Sequence, residues 1–279
     1  MTEKRLADNP TRGRSRWGWL ALLVVPLFLW AGCQNKPGDQ EQLSGNAAEK
    51  KMSALSLKQL ALALAQYHDN IKTLPSAVHV DPGVRVRLGI PDIPGEDIPR
   101  LQANVFKKKP LPLLSWRVAI LPFIDQADLY QQFKMDEPWD GPNNKKLLEK
   151  MPRTFAPVAR TNEDPYSTYY QVFVGKDAPF DGLKRSRIPA SFPDGLMMTL
   201  LIAEAGKAVP WTKPEDIPYA ANKPLPKLGG LFADGFNAAM ADGTIRFIPR
   251  DAPEKTLRAM ITPAGGEVVE LAGKVVKID

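Results

Sequence analysis

Leu57, Leu60, Leu64, Tyr67 and Ile71 recur at spacings of three and four, and this recurrence constrains the fold more than any other feature of the sequence. It places all five on one face of a helix running from near Ala47 to Ile71. Leu55 and Leu62, with Ala54, Ala61, Ala63 and Ala65, widen the apolar surface beyond a narrow stripe, so the helix is expected to be largely buried. It ends before Pro75, because a proline ring disfavours helical geometry in the residue ahead of it. The second half of the chain reads as sheet. Thr168–Val174 is rich in aromatic and β-branched residues and stops at Gly175, and Leu196–Ala203 is an apolar run after Pro193-Asp194-Gly195. Asn237–Ala241 and Thr244–Ile248 flank Asp242-Gly243, a pair that tolerates positive φ and so predicts a two-residue hairpin. An antiparallel sheet with helices segregated to one side makes the fold class α+β, with a long amino-terminal helix packed on the sheet.

Proline sets the character of the connections. The chain has 27, and Pro75, Pro82, Pro91, Pro94, Pro99, Pro110 and Pro112 fall in one irregular stretch that predicts long stiff loops. Short helices are expected at Trp116–Leu121, Gln126–Phe133 and Asn143–Met151, the last capped by Asn143 or Asn144. Asp251-Ala252-Pro253-Glu254 has the form of a helix start, and Thr256–Ile261 continues it to Pro263. There is no internal repeat.

The amino terminus carries an address. Arg12, Arg14 and Arg16 precede Trp17–Ala31, an uncharged run too short to span a bilayer and followed at once by polar residues, which is the layout of an exported precursor. Ala31-Gly32-Cys33 resembles the lipobox of bacterial lipoproteins, although Trp30 stands where that motif usually has an aliphatic residue. The resemblance implies lipid attachment at Cys33 and a membrane partner, the alternative being an uncleaved signal anchor. The several acyl chains of a mature lipoprotein hold a protein far more firmly than one. Four segments follow: a signal at 1–32, a polar tether at 33–50, a folded domain at 51–270, and a tail or edge strand at 271–279. Five basic and two acidic residues lie in the signal, so the formal charge of +6 falls to about +3 on cleavage, and nucleic acid is not an expected partner. Cys33 is the only cysteine, so the folded domain has no disulfide and its core must hold it unaided.

Several stretches together resemble a bacterial family abundant in planctomycetes, a domain of unknown function built like a type IV pilin or pseudopilin. They include Leu57-Lys58-Gln59-Leu60, Tyr67-His68-Asp69, Leu114-Ser115-Trp116-Arg117, Glu137-Pro138-Trp139-Asp140, Thr168–Gly175, Val209–Asp216 and Phe236–Gly243. The resemblance implies a helix leading into an antiparallel sheet, and Asp242-Gly243 falls on the end of the family's carboxy-terminal His-x9-Asp-Gly signature. Phe232 occupies the place of that His. The Gly-Phe-Thr-Leu-Ile-Glu leader of the usual members is not found, so polymerisation into a pilus is not expected. Some related sequences carry a solute-binding label, which implies binding without naming a ligand.

Residue chemistry argues against most enzyme classes. His68 and His79 are the only histidines, too few for a His/Cys zinc site, and no cofactor or metal is expected. His68 beside Asp69 reads as a helix-end histidine bonding the last turn, with an acid–base role as the lesser alternative. Asp125, Asp128, Asp136, Glu137 and Asp140 do not follow the alternating spacing of a calcium loop. No phosphate loop, dinucleotide turn or nucleophile elbow is present. Trp116, Trp139 and Trp211 lie near prolines and charges; plugs that close the edges of a small sheet domain are their commoner role, and a surface for stacking on a glycan or a partner is the functional candidate. The expected function is thus a lipid-anchored, extracytoplasmic envelope module, non-enzymatic, that binds a protein, glycan or solute. The alternative is a glycan-directed hydrolase using carboxylates between Asp125 and Asp140.

Overall fold

The computed structural model describes residues 37–90, 97–104, 111, 113–159, 164–266, 268–271 and 274–277, with side chains described within residues 47–266 apart from Leu88, Gln102 and Asn104. The expected signal at 1–32 and Cys33 lie outside the described residues.

Helix α1 runs from Pro37 to Ile71. Residues 37–50, expected to be a polar tether, are therefore helical. Gln40, Glu41, Gln42, Ala47, Ala48 and Glu49 are good helix formers, and once the buried part is nucleated each added residue extends it at little cost. Leu57, Leu60 and Leu64 are fully buried and Tyr67 nearly so, each burial being worth roughly 1.5–3 kcal/mol. The expectation of a largely buried helix holds for that face only. Met52, Leu55, Leu62 and Ile71 are about half exposed, because one sheet face covers only one side of a helix.

That face packs on a four-stranded antiparallel sheet of order β3-β5-β7-β8. The strands are β3 (Ser167–Gln171), β5 (Leu200–Pro210), β7 (Gly235–Met240) and β8 (Ile245–Pro249). The apolar run Leu196–Ala203 enters the sheet only at Leu200 and continues to Pro210, beyond its predicted end. Between β3 and β5 come β4 (Phe173–Val174), and after β5 comes β6 (Ile217–Pro218), which pair in parallel. Two more short strands, β1 (Val78–His79) and β2 (Leu114–Ser115), pair antiparallel beside α1. The sheet's other face is covered by α6 (Glu254–Ile261), whose Ala259, Met260 and Ile261 pack with Phe236, Ala238 and Ile248. This is the α+β class the sequence predicts.

The remaining helices are short: α2 (Pro82–Leu88), α3 (Ile98–Asn104), α4 (Trp116–Ala119) and α5 (Ala127–Gln132). Residues Asn144–Lys150 form a 3₁₀ helix instead of the expected α-helix. Asn144 does not cap it. Its side chain accepts from Lys134 N–H (2.8 Å) and donates to the carbonyls of Lys134, Glu137 and Pro138, stitching a loop. The hairpin between β7 and β8 is also corrected. Ala239 pairs with Ile245, and Gly243 N–H donates to Met240 O, so the connection holds three residues with only Gly243 at positive φ, +80°. A turn followed by one left-handed glycine is the next most favoured hairpin solution, and here the Asp242 carboxylate secures it by accepting from Thr244 N–H (2.9 Å) and O–H (2.7 Å). At the carboxy end, β9 (Val268–Leu271) and β10 (Lys274–Lys277) form an antiparallel hairpin that straddles the boundary expected at 270/271.

Candidate functional site

Two polar networks fix the walls on which the surface loops stand. In the first, the buried Arg117 and Asp216 pair at 2.6 Å, and the same Asp216 Oδ1 accepts from Trp116 Nε1–H (3.1 Å) and Val172 N–H (3.0 Å). Arg117 also donates to Tyr170 O (3.0 Å) and Ser115 Oγ (2.7 Å), so α4, β3 and the chain leading into β6 are tied at one point. Burial lifts the Asp216 carboxyl to about 6 against the pull of Arg117. In the second, Ser53 of α1 donates to Glu204 of β5 and accepts from Tyr170 O–H (3.0 Å). Glu204 accepts in addition from Asn237 N–H (2.8 Å) of β7. Burial raises both Glu204 and Tyr170, the phenol to about 12. Every buried polar group in this second set has a partner, which is the condition for such a network to specify one packing of helix on sheet.

The parallel β4–β6 pair delivers a surface groove. Ile217 N–H donates to Val172 O (3.0 Å) and Tyr219 N–H to Val174 O (2.8 Å), which brings the turn Gly175–Ala178 against the segment Tyr219–Asn222. A Cβ on Gly175 would lie 2.0 Å from Tyr219 O, so only glycine permits this approach. From α6, the Arg258 guanidinium reaches across, donating to Lys223 O (2.6 Å) and to Glu254 Oε1, with its carbon 6.0 Å from the Tyr219 ring centre. It pins the far wall. The result is two adjoining depressions of about 500 and 560 Å³ that share Lys176, Asp177, Tyr219 and Ala221. Lys176 and Asp177 are exposed at the mouth, and Ser186 and Ser191 line the second depression. Ser191 Oγ accepts from Arg187 N–H (3.0 Å), which leaves its O–H to donate. The groove thus offers two cations (Lys176, Arg258), two carboxylates (Asp177, Asp181), the Ser191 hydroxyl and an aromatic edge, a set suited to an amphoteric polar ligand.

At two of the three tryptophans the surface role is corrected and the plug role holds. Trp116 and Trp211 are fully buried. Trp116 donates to Asp216, while Trp211 stacks on Phe155 (5.7 Å), meets Phe133 edge-on (5.9 Å) and donates to Leu148 O (3.0 Å). Their large apolar area makes them core plugs. Trp139 is half-buried with the Lys213 ammonium 5.7 Å from its ring centre, and the structure does not bring it to the groove. Gly243 accepts from Lys58 Nζ (2.7 Å), tying the hairpin tip to α1, and Phe232 is buried with the Lys50 ammonium 5.8 Å from its ring centre. His68 reaches across the fold, its Nε2 accepting from Ile188 N–H (3.1 Å), while its Nδ1 lies 3.7 Å from Asp69 Oδ1, beyond hydrogen-bond distance. Asp125, Asp128, Asp136 and Asp140 are exposed, and Glu137 is engaged with the Asn143 side chain and backbone. Among the described residues no three His, Cys, Asp or Glu gather as metal ligands do, and no helix is long and apolar enough to cross a membrane. The groove residues Lys176, Asp177, Tyr219 and Arg258 carry no motif, since three separate segments contribute them: the turn after β4, the chain after β6, and α6.

Fold and groove together define a helix-backed α+β domain with an open cleft whose charged groups stand on a largely apolar lining. The chain belongs to the family described as protein of unknown function (DUF1559), whose model SBP_bac_10 matches residues 53–199, more than half of the sequence. No curated protein and no solved structure matches the chain.

Proposed function

We propose that this protein is a lipid-anchored, extracytoplasmic envelope module that binds an amphoteric polar ligand, a glycan–peptide or a small solute, in the groove between Lys176-Asp177, Tyr219 and Arg258, without turning it over. The observation that carries the reading is the groove itself, a half-open cleft of several hundred Å³ whose walls are fixed by the Gly175–Tyr219 approach and the Arg258 bridge. The solute-binding character of the family label supports it. The Arg-rich start, the uncharged run and Ala31-Gly32-Cys33 support export and acylation.

The test is calorimetric titration of the full chain in detergent with a soluble disaccharide–tetrapeptide cell-wall fragment. Reversing the mouth charges with Lys176→Glu and Asp177→Lys should weaken binding about tenfold while leaving the melting temperature unchanged. Equal affinity in wild type and double variant defeats the groove assignment, and release of product fragments defeats the non-enzymatic reading. Cys33→Ser should move the protein from membranes to the soluble envelope fraction or leave it unprocessed. An unchanged, unprocessed membrane fraction supports a signal anchor instead.

A further inference from the structure

The segment Ser186–Ser191 walls the second depression, giving Ser186 and Ser191 to its lining. Its start is fixed twice: Leu74 N–H donates to Ser186 O (2.8 Å), and the Ser186 hydroxyl donates to Pro179 O (2.6 Å). A tight turn then closes on itself, Ser191 N–H donating to Arg187 O (2.8 Å) and Arg187 N–H to Ser191 Oγ (3.0 Å). Just beyond, Asp194 N–H donates to Pro263 O (3.1 Å) and the Asp194 carboxylate accepts from Gly266 N–H (3.0 Å), which joins this wall to the lining residues Thr262–Gly265 after α6. The middle of the wall is tied to the last turn of α1 by Ile188 N–H, which donates to His68 Nε2 (3.1 Å). A ring nitrogen accepts only while it carries no proton, so the proton of neutral His68 sits on Nδ1.

We infer that His68 is a positioning residue for the groove: unprotonated, its Nε2 latches the Ser186–Ser191 wall onto α1, and protonation turns that acceptor into a second donor facing Ile188 N–H, so the wall is released in acid. The consequence for affinity rests on the groove reading, whereas the latch does not. Two N–H groups 3.1 Å apart share no hydrogen bond, so either the ring or the amide must move, and the half-buried Ile188 N–H loses its acceptor. The His68 side chain is 15% exposed, which lets a proton reach the ring without unfolding. The surrounding charges leave the latch in place. On α1, Asp69 Oδ1 lies 3.7 Å from Nδ1 and favours a proton on that nitrogen, which keeps Nε2 an acceptor, while Lys72 bonds His68 O through its backbone N–H and has an exposed side chain. The facing segment brings Arg185 and Arg187, which cannot accept and which oppose a charge on the ring. The 3₁₀ turn Leu121–Ile124, packed on α1 through Phe123 and Tyr67, is uncharged, and Asp125 after it is exposed. His79, the only other histidine, is held at about 4 by burial and stays neutral over the range in which an imidazole ordinarily changes charge, about pH 5 to 8.

The test is nuclear magnetic resonance of amide and imidazole nitrogens in the full chain, titrated from about pH 8 to 5.5. At the alkaline end His68 should show the Nδ1–H tautomer, and on acidification the amides of Ile188 and Ser191 should move with the His68 ring at one midpoint. His68→Gln supplies an amide oxygen that accepts without titrating, so these amides should hold their positions across the range. Asp216, lifted to about 6, and Glu204, also raised, are read separately at the amides they accept from, Val172 and Asn237, whose profiles His68→Gln should leave unchanged. With the disaccharide–tetrapeptide fragment, wild-type affinity should fall about fivefold more than that of His68→Gln over the same range. An Nε2–H tautomer at the alkaline end, an Ile188 amide that stays still while the ring titrates, or an unchanged amide profile in His68→Gln would overturn the latch. The wild-type tautomer and amide profile decide the matter if His68→Gln does not fold. A fragment that binds at no pH defeats the groove reading alone, and the amide profiles still decide the latch.

Discussion

Trp211 separates a core residue from a ligand-stacking one, and Trp211→Ala makes the difference measurable. Removing a fully buried tryptophan costs about 3–5 kcal/mol through lost transfer energy and the cavity left behind. Trp211 belongs at the top of that range, because the substitution also breaks a stack on Phe155, an edge contact with Phe133 and the Nε1–H bond to Leu148 O. A domain of ordinary stability, about 5–15 kcal/mol, would keep only a fraction of it. At a urea slope of about 2–3 kcal/mol per molar, the midpoint should fall by about 2 M, read by circular dichroism. Trp211→Phe keeps the ring and loses the donor, so about 1–2 kcal/mol is expected. A Trp211→Ala protein within about 1 kcal/mol of wild type would refute the reasoning and return Trp211 to the surface.

Three further outcomes are expected. Burial holds His79 at about 4, below its ordinary 6.5, so the native state binds fewer protons. The stability this contributes is complete above 6.5 and is lost as pH falls toward 4, roughly 3 kcal/mol in all. Urea melts of His79→Phe should lack this part of the acid decline, and an identical decline in both proteins contradicts it. Glu204 is shifted the other way: its native value is raised by burial, so its contribution is complete below the ordinary glutamate range and is lost as pH rises through the native value. Glu204→Gln should therefore gain on wild type with rising pH, whereas a pH-independent difference counts against a raised carboxyl. Gly175→Ala forces a Cβ onto Tyr219 O and should cost about 1–3 kcal/mol in thermal unfolding while distorting the groove. A neutral substitution would mean that the β4–β6 approach is looser than described.

The helix and the hairpin were legible because both rest on local rules: three-four spacing for α1, and Asp-Gly between apolar segments for β7–β8. The loop is one residue longer than the Asp-Gly pair predicts because Asp242 serves as an acceptor for Thr244 as well as a turn former. The hydrogen-bonding hubs were not legible. Arg117 and Asp216 lie far apart in sequence, as do Ser53 and Glu204, and nothing in their neighbours announces the pairing. Tryptophans near prolines are compatible with plugs and with a surface alike, and what decides for burial at Trp116 and Trp211 is partners such as Phe155 and Asp216 that only the assembled fold supplies. The groove is not legible for the same reason, since Gly175 and Tyr219 become neighbours only once β4 and β6 pair, with Arg258 reaching them from α6.

Binding in the groove is tested most directly by mapping amide shifts of the full chain on addition of the disaccharide–tetrapeptide fragment. The largest shifts should fall at Lys176-Asp177, Ser186 to Ser191, Tyr219 to Asn222 and the loop after α6. Saturable shifts confined to the exposed side of α1 around Leu55, or no shifts at any concentration, would contradict the assignment.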